Sequence, residues 1–417
     1  MIHRKELRCG LIGNPLGHSY SPEIHALLAD YEYRLFPLEE EEVAPFLAAR
    51  AFDAINVTIP YKKTVMPYLD EISPEARRIG SVNTIVRDGD GRLLGYNTDY
   101  AGFSFMLRRR GIALSGKKVL ILGSGGACAT VKTVAEDAGA ESVTVIGRRD
   151  NNPQTLVLHA GAEVLINTTP VGMFPNNGQS PVDLSLFPRL EAVADVIYNP
   201  ARTALILDAE QKGVKTASGL PMLVAQAKAA AELFTGEHVP DEETERIIRA
   251  VSLVKRNIAL IGMPGAGKST LGRALARQLG RDFVDLDDEI VKAAGKPIPE
   301  IFAEDGEPAF RDLESACLAQ ISARSSLVIA TGGGAVIRAE NRRLLRQNST
   351  AVLLRRPLGE LDSNGRPLSK LHSAEELWAA RRAYYESAAD AEITVEPDVS
   401  RSLEKLLAAI EAADADA

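Results

Sequence analysis

Cysteine is scarce in this chain: Cys9, Cys128 and Cys317 are scattered through 417 residues and form no CxxC pair. That excludes a disulfide framework and a zinc knuckle, and it suits a reducing cytosol. Long apolar runs are missing as well. No stretch reaches the length of a bilayer span, and the opening residues MIHRKELRCGLIG lack the apolar core and small-residue cleavage site of a secretory leader. A soluble, cytoplasmic protein with no membrane partner is expected. There is no excess of positive charge either. The formal net charge is -8 with the signs interspersed, which leaves no basic face for nucleic acid, so small anions must be held by local arginines. Internal repeats and low-complexity segments are also lacking.

What is present is length and rhythm. A chain of 417 residues can bury two or three separate cores, enough for two enzymes in tandem. Short apolar strands alternate with amphipathic helical stretches, which predicts an α/β class with mostly parallel sheets. Three blocks emerge. The first, residues 1–110, includes the strands RCGLIG and AINVTIP and a hairpin that turns at Asp88 to Gly91. The second, 111–220, holds the strands ESVTVIG, AEVLINTT and VADVIYN; a helix around 221–236, PMLVAQAKAAAELFTG, follows it. The charged stretch 237–256 reads as a linker or a helix plus linker, and the third block is 257–417.

Two glycine-rich loops of different kinds carry the chemistry. GSGGA at 123–127 follows the apolar run KKVLIL and has no lysine or hydroxyl at its end, which suits a dinucleotide pyrophosphate on a helix N-terminus. The next strand ends in Arg148 and Arg149 and not in an acid, which favours the 2′-phosphate of NADP(H) over NAD; two solvated arginines are the plain alternative. GMPGAGKST at 262–270 satisfies GxxxxGK[ST] between a strand and a helix. There Lys268 neutralises phosphate charge and Ser269 ligates Mg2+, which points to ATP. FVDLD places Asp285 and Asp287 on one side of a strand end, one for the metal's water shell and one to accept a proton. Arg311 and Glu314 stand at helical spacing, so the carboxylate can hold the guanidinium for recognition of an acid. ATGGG brings the backbone at Gly332 to Gly334 close to a ligand.

In the first block, GHSYSP sets Ser19 and Ser21 two apart, so both hydroxyls can reach one carboxylate. NVTIPYKK puts Thr58 and Lys62 just past a strand, and SVNT and GYNTDYAG contribute Asn83 and Asp99. Singly, Lys62 and Asp99 read as a surface charge and a helix cap; together, they are what carbonyl reduction needs, a proton donor and a partner that tunes it.

GHSYSP, NVTIPYKK, SVNT, NTDYAG, GSGGA, INTTPVGM, DVIYNP and GLPMLVAQA occur in that order from about Cys9 to Gly236, and together they resemble shikimate dehydrogenase. The resemblance implies a substrate-binding domain of residues 1–110 with 221–236, and a Rossmann-like NADP domain of 111–220. It assigns Ser19 and Ser21 to the substrate carboxylate and Thr58, Lys62, Asn83, Asp99 and Gln226 to the ring hydroxyls, with Lys62 and Asp99 as the catalytic pair. Gly123, Gly125, Gly126, Ala127, Arg148, Arg149, Tyr198 and Gly219 fall to NADP; Tyr198 borders the cleft, and Asn167, Thr168 and Gly219 approach the nicotinamide side. Between Arg149 and INTTPVGM only DNNPQTLVLHAGAEVL intervenes, where the family runs through a further helix and strand. An abbreviated adenosine side is therefore expected.

GMPGAGKST, FVDLD, FRDLE, ATGGG, GRPLS and ARRAYYESAAD resemble shikimate kinase over Asn257 to Ala412, which implies a P-loop NTPase-type parallel-sheet kinase domain. The match gives Asp287, Arg311, Gly333 and Arg381 to shikimate, with Asp287 as base. It gives Gly265, Gly267, Lys268, Ser269, Thr270 and Arg366 to ATP, with Ser269 and Asp285 near Mg2+. An arginine expected before the lid has no counterpart, with Arg355 or Arg356 as its substitute, and Ala380 precedes Arg381 where the family has Glu. The expected function is NADPH-dependent reduction of 3-dehydroshikimate followed by ATP-dependent phosphorylation of shikimate. The alternatives are a non-catalytic N-terminal module and a related substrate such as quinate. Oligomeric state is not legible.

Overall fold

The computed structural model describes residues 2–17, 19–361 and 373–415. Its chain divides into two compact units. The first comprises residues 1–173, 179–198 and 203–251, and the second comprises 174–178, 199–202 and 252–417. No helix among the described residues is long and apolar enough to cross a membrane.

The first unit holds two sheets. Strands β1 (Arg8–Gly13), β2 (Glu32–Pro37), β3 (Ala54–Val57), β4 (Glu71–Ile72), β5 (Thr84–Arg87) and β6 (Leu93–Tyr96) form a mixed sheet in the order β2-β1-β3-β5-β6-β4. β1 runs parallel to β2 and β3, and β5 and β6 form the expected antiparallel hairpin. The helix Leu220–Thr235 returns to this sheet: Val224, Ala227, Ala230 and Phe234 are buried in one cluster with Ile24, Leu28 and Tyr31. The charged stretch that follows is largely a helix, Asp241–Lys255, whose Ile247, Ile248 and Val251 join the same cluster.

Strands β7 (Lys118–Leu122), β8 (Ser142–Ile146), β9 (Val164–Asn167), β10 (Ala192–Asp195) and β11 (Lys215–Ala217) form an all-parallel sheet in the order β11-β10-β9-β7-β8. Sheets covered on both faces need unbroken apolar runs. Leu120 to Leu122 and Val164 to Ile166 supply them, feeding two clusters on opposite faces. β7 lies between β8 and β9, so its flanking crossovers diverge and open a crevice beyond its carboxyl end. The register sets Leu122 opposite both Ile146 and Asn167, which aligns the loops that follow them. β8 is an edge strand. Only the five-residue helix Pro153–Val157 separates it from β9, so the sheet stops one helix and strand early, as the short connection predicts.

The second unit is built on β12 (Asn257–Ile261), β13 (Asp282–Asp285), β14 (Leu327–Ala330), β15 (Ser349–Arg355) and β16 (Ala391–Thr394), all parallel in the order β13-β14-β12-β15-β16. The central strand NIALI is buried throughout. Register pairs Leu260 and Asp285 with the same Ala330, bringing the loops after β12, β13 and β14 to one level. One sequence expectation fails here. β13 ends at Asp285, and Asp287 lies in the first turn of the helix Leu286–Ala294, so the two aspartates do not share a strand face. Asp285 is instead the N-cap, its Oδ1 accepting from the Asp287 amide at 3.1 Å. A short aspartate suits an N-cap better than another strand position.

Candidate active sites

In the first unit, Lys62 follows β3 and Asp99 opens the helix Asp99–Arg109, and the Lys62 ammonium donates to Asp99 Oδ2 at 2.6 Å. The side chains are 22% and 12% exposed, so the pair is sheltered but open to a ligand. Thr98, which the sequence did not single out, ties the neighbouring residues together. Its amide and hydroxyl donate to Asn83 Oδ1 at 2.7 and 3.2 Å, and its Oγ1 lies 3.5 Å from Gln226 Oε1. Behind Asn83, Asn56 Nδ2 donates to Thr84 Oγ1 at 3.1 Å, and Tyr33 donates to Asn56 Oδ1 at 2.8 Å. Lys62, Asp99, Asn83 and Gln226 thus form one connected group. Thr58 stands just past β3 beside Gly13, while Ser19 Oγ accepts from the Ser21 amide at 3.2 Å. Tyr20, between the two serines, packs its ring on Tyr198 with centroids 5.0 Å apart, which places Tyr198 on this substrate side.

The cofactor loop follows β7. Gly125 is the N-cap of the helix Gly126–Asp137, and no side chain caps it. A Cβ on Gly125 or Gly126 would meet no protein atom within 4 Å. These glycines therefore leave space above the helix N-terminus, as a pyrophosphate requires. Ala127 follows in the first turn. Arg148 and Arg149 are exposed at the end of β8 with no ion pair among the described residues, and Gly147 lies 3.7 Å from Ser124 of the loop by its notional Cβ. At Gly219 a Cβ would strike the Val196 carbonyl, so close backbone packing requires a glycine there.

Below the crevice, Asn167 and Asp195 are fully buried and joined, Asn167 Nδ2 donating to Asp195 Oδ1 at 3.1 Å. Burial raises the Asp195 carboxyl to about 6, against the pull of hydrogen bonds from Ile197, Thr203 and Asn167.

In the second unit a cavity of about 700 Å³ is lined by the lysine loop, Asp285, Asp287 and Asp288, the apolar Ile298 and Phe302, and Arg311, Gly333, Arg356 and Arg381. Lys268 Nζ donates to the Gly262 and Met263 carbonyls at 2.8 and 2.9 Å, and Ser269 Oγ donates to Asp285 Oδ2 at 2.6 Å. Gly265 and Gly267 have φ of +81° and +90°, which other residues resist, and Thr270 lines the same wall. Arg311 is held by Glu314 at 2.7 Å, and Glu314 is 1% exposed, its carboxyl raised by burial and lowered again by Arg311. The triple glycine is required by close approach. A Cβ on Gly332 would crowd Asp287 and Glu314, one on Gly333 would strike Pro264, and one on Gly334 would strike the Arg311 guanidinium. Arg381 donates to the Gly333 carbonyl at 3.1 Å and has no ion pair among the described residues. Tyr385, unmarked in the sequence reading, donates to the same carbonyl. Of the two candidate substitutes before the lid, Arg356 lines the cavity, whereas Arg355 pairs with Glu392 and lies over Trp378. Arg366 lies outside the described residues.

These two units define a Rossmann-type oxidoreductase followed by a P-loop small-molecule kinase. The comparisons give both a family. A model of the shikimate dehydrogenase substrate-binding domain matches residues 11–85, and one of shikimate kinase matches residues 264–411. The NADP(+) shikimate dehydrogenases of Clostridium perfringens (strain 13) and Bacillus cereus (strain B4264) are 38% and 36% identical over 261 and 267 residues, each alignment spanning 57% of this chain and 96% of the relative. The crystal structure of the Thermus thermophilus shikimate 5-dehydrogenase in complex with NADP(H) and shikimate is 34% identical with a TM-score of 0.51, covering 60% of this chain and 99% of that one. A chorismate mutase/shikimate 5-dehydrogenase fusion from Clostridium acetobutylicum is 35% identical with a TM-score of 0.53, covering 58% and 96%. The chain belongs to the shikimate dehydrogenase family through its N-terminal part, and its C-terminal part is a shikimate kinase domain.

Proposed function

We propose that one polypeptide carries out two consecutive steps: reduction of 3-dehydroshikimate with NADPH, then phosphorylation of the shikimate 3-hydroxyl with ATP. The observation that carries this reading is that a single chain holds both the Lys62–Asp99 pair at 2.6 Å and a P-loop cavity lined with acids and arginines. The domain limits proposed are 1–110 with 221–236 for substrate, 111–220 for NADP, and 257–417 for the kinase.

In the reductase, Ser19 and Ser21 hold the substrate carboxylate, while Thr58, Asn83 and Gln226 orient the ring. NADPH would supply the hydride, with Gly123, Gly125, Gly126 and Ala127 to hold its phosphates and Arg148 and Arg149 to hold its 2′-phosphate. Lys62 gives a proton to the oxygen as the carbonyl is reduced, and Asp99 keeps that ammonium aimed. In the kinase, Arg311 and Arg381 hold the shikimate carboxylate beside Gly333. Asp287 accepts the proton of the attacking hydroxyl. Lys268 and the loop amides steady the phosphates of ATP, and Ser269 with Asp285 would hold Mg2+, which supplies charge neutralisation at the phosphoryl oxygens.

The test uses the full-length chain. Lys62→Ala lowers NADPH oxidation about 100-fold or more and leaves the kinase rate intact; Lys268→Ala abolishes phosphoryl transfer and leaves NADPH oxidation intact. Equal rates in variant and parent would remove the assigned role. The bare edge of β8, next to Arg148 and Arg149, favours one other reading, a first unit that binds ligand without turnover. No NADPH consumption by the parent protein at saturating cofactor is the result that would favour it.

A further inference from the structure

Asp195 is a carboxylate that the chemistry above does not use. It is 0% exposed and ends β10, and no ion pair among the described residues involves it. Its two oxygens take three donors from three segments. Oδ1 accepts from Asn167 Nδ2 and from the Ile197 amide, both at 3.1 Å, and Oδ2 accepts from Thr203 Oγ1 at 2.7 Å. A buried carboxylate without a cation is costly unless its lone pairs are filled. An amide in its place has one oxygen for three donors and must turn its NH2 toward one of them.

Each donor fixes a loop beside the cofactor crevice. Asn167 Oδ1 accepts from the Thr169 amide and hydroxyl at 3.0 and 2.7 Å, and Thr169 Oγ1 accepts from the Val171 amide at 3.2 Å. The run 167–171 is thereby pinned. It sits against the cofactor loop, since Thr168 Oγ1 donates to the Leu122 carbonyl at 2.7 Å and a Cβ on Gly123 would crowd Thr168. The Ile197 carbonyl accepts from the Gly219 amide at 3.0 Å, at the start of the helix that carries Gln226, and the next residue, Tyr198, packs on Tyr20. Thr203 caps the helix Ala204–Gln211 through the Ile206 amide.

The geometry points to Asp195 as a positioning residue for hydride transfer: its carboxylate locks the loops after β9 and β10 into one arrangement and so fixes the wall that sets the nicotinamide against the substrate. The inference rests on the reductase reading above and adds to it a residue that touches neither ligand. Small displacements of such a wall act on the chemical step more than on substrate binding, because reacting atoms must meet within a few tenths of an ångström.

The experiment compares Asp195→Asn and Asp195→Ala with the parent in the full-length chain, using the kinase rate of each sample to count chains and the calorimetric transition of the first unit to count those in which it is folded. The expected result is a reductase kcat lower by about 10-fold for Asn and about 100-fold for Ala, a KM for 3-dehydroshikimate changed by less than about threefold, and a larger primary isotope effect with NADPH deuterated at the transferred position. Thr203→Val, which removes one donor, falls between parent and Asn. Parent-like kcat in both Asp195 variants overturns the inference, as does a loss seen only in KM, or an unchanged isotope effect with activity lost in step with folded protein by circular dichroism. If the Ala variant does not fold, Asn decides. Absence of turnover in the parent removes the reductase reading and this inference together, whereas variants that match an active parent defeat the inference alone.

Discussion

Two buried carboxylates show how much a single residue's surroundings decide. Glu314 is answered by a cation, Arg311, and removing either partner strands a buried charge. Among the described residues Asp195 is answered only by neutral donors, and its carboxyl is raised from 3.8 to about 6 by burial. Well below pH 4 the group is protonated in the folded and unfolded chain alike. Between pH 4 and 6 the unfolded chain ionises first, so the native state loses stability as pH rises, by up to about 3 kcal/mol. Asp195→Asn lacks this titration. The stability of the variant relative to the parent is therefore expected to improve from pH 4 to pH 7, read from the calorimetric transition of the dehydrogenase unit; a variant that loses stability relative to the parent over that range contradicts the assignment. Asp195 illustrates a limit of sequence reading too. Lys268 and Arg311 stood out in the short motifs GxxxxGK[ST] and FRDLE, and Lys62 and Asp99 stood out only together with the ordered segments that resemble shikimate dehydrogenase. Thr98, Asp195 and Tyr385 did not, because their partners Asn83, Thr203 and Gly333 lie in other segments and only the folded sheets bring them together.

At the scale of elements, strands buried on both faces announced themselves as apolar runs: KVLIL, NIALI and LVIA all form. The short strands β4, β11 and β16 were not foreseen, since two to four residues such as KTA carry no periodicity. The strand assigned across Asp285 to Asp287 failed for a local reason, the cap that Asp285 makes. The loop after β14 shows an element acting through what it omits. Gly334→Ala places a methyl on the Arg311 guanidinium, which Glu314 and Glu307 hold and which has little room to retreat. Because the guanidinium is assigned to the shikimate carboxylate, the kinase KM for shikimate is expected to rise about tenfold, with the KM for ATP and all NADPH oxidation unchanged. Steady-state assays of both activities check this, and an effect confined to ATP counts against the assignment of Arg311.

At the scale of the molecule, each unit has its own sheets and buried clusters, and each has its own proposed pocket for the same cyclic acid. Calorimetric titration of the full-length chain with shikimate is expected to resolve two uptake events. Lys62→Ala should weaken one and Arg311→Ala the other, and a single event insensitive to either change opposes two pockets. The dual architecture was legible from two unlike glycine loops and their order; the return of the helix Leu220–Thr235 to the first block was legible through the family resemblance and not through periodicity, because Ile24, Leu28 and Tyr31 lie at the far end of the first unit's sequence. That return has a consequence during synthesis. Ile24, Leu28 and Tyr31 leave the ribosome long before Val224 and Phe234, so the nascent chain must carry an unsealed apolar surface while the whole nucleotide-binding sheet is being translated. Co-translational assistance is needed most in that interval, and a stalled chain ending before residue 220 is the species that chaperones should hold.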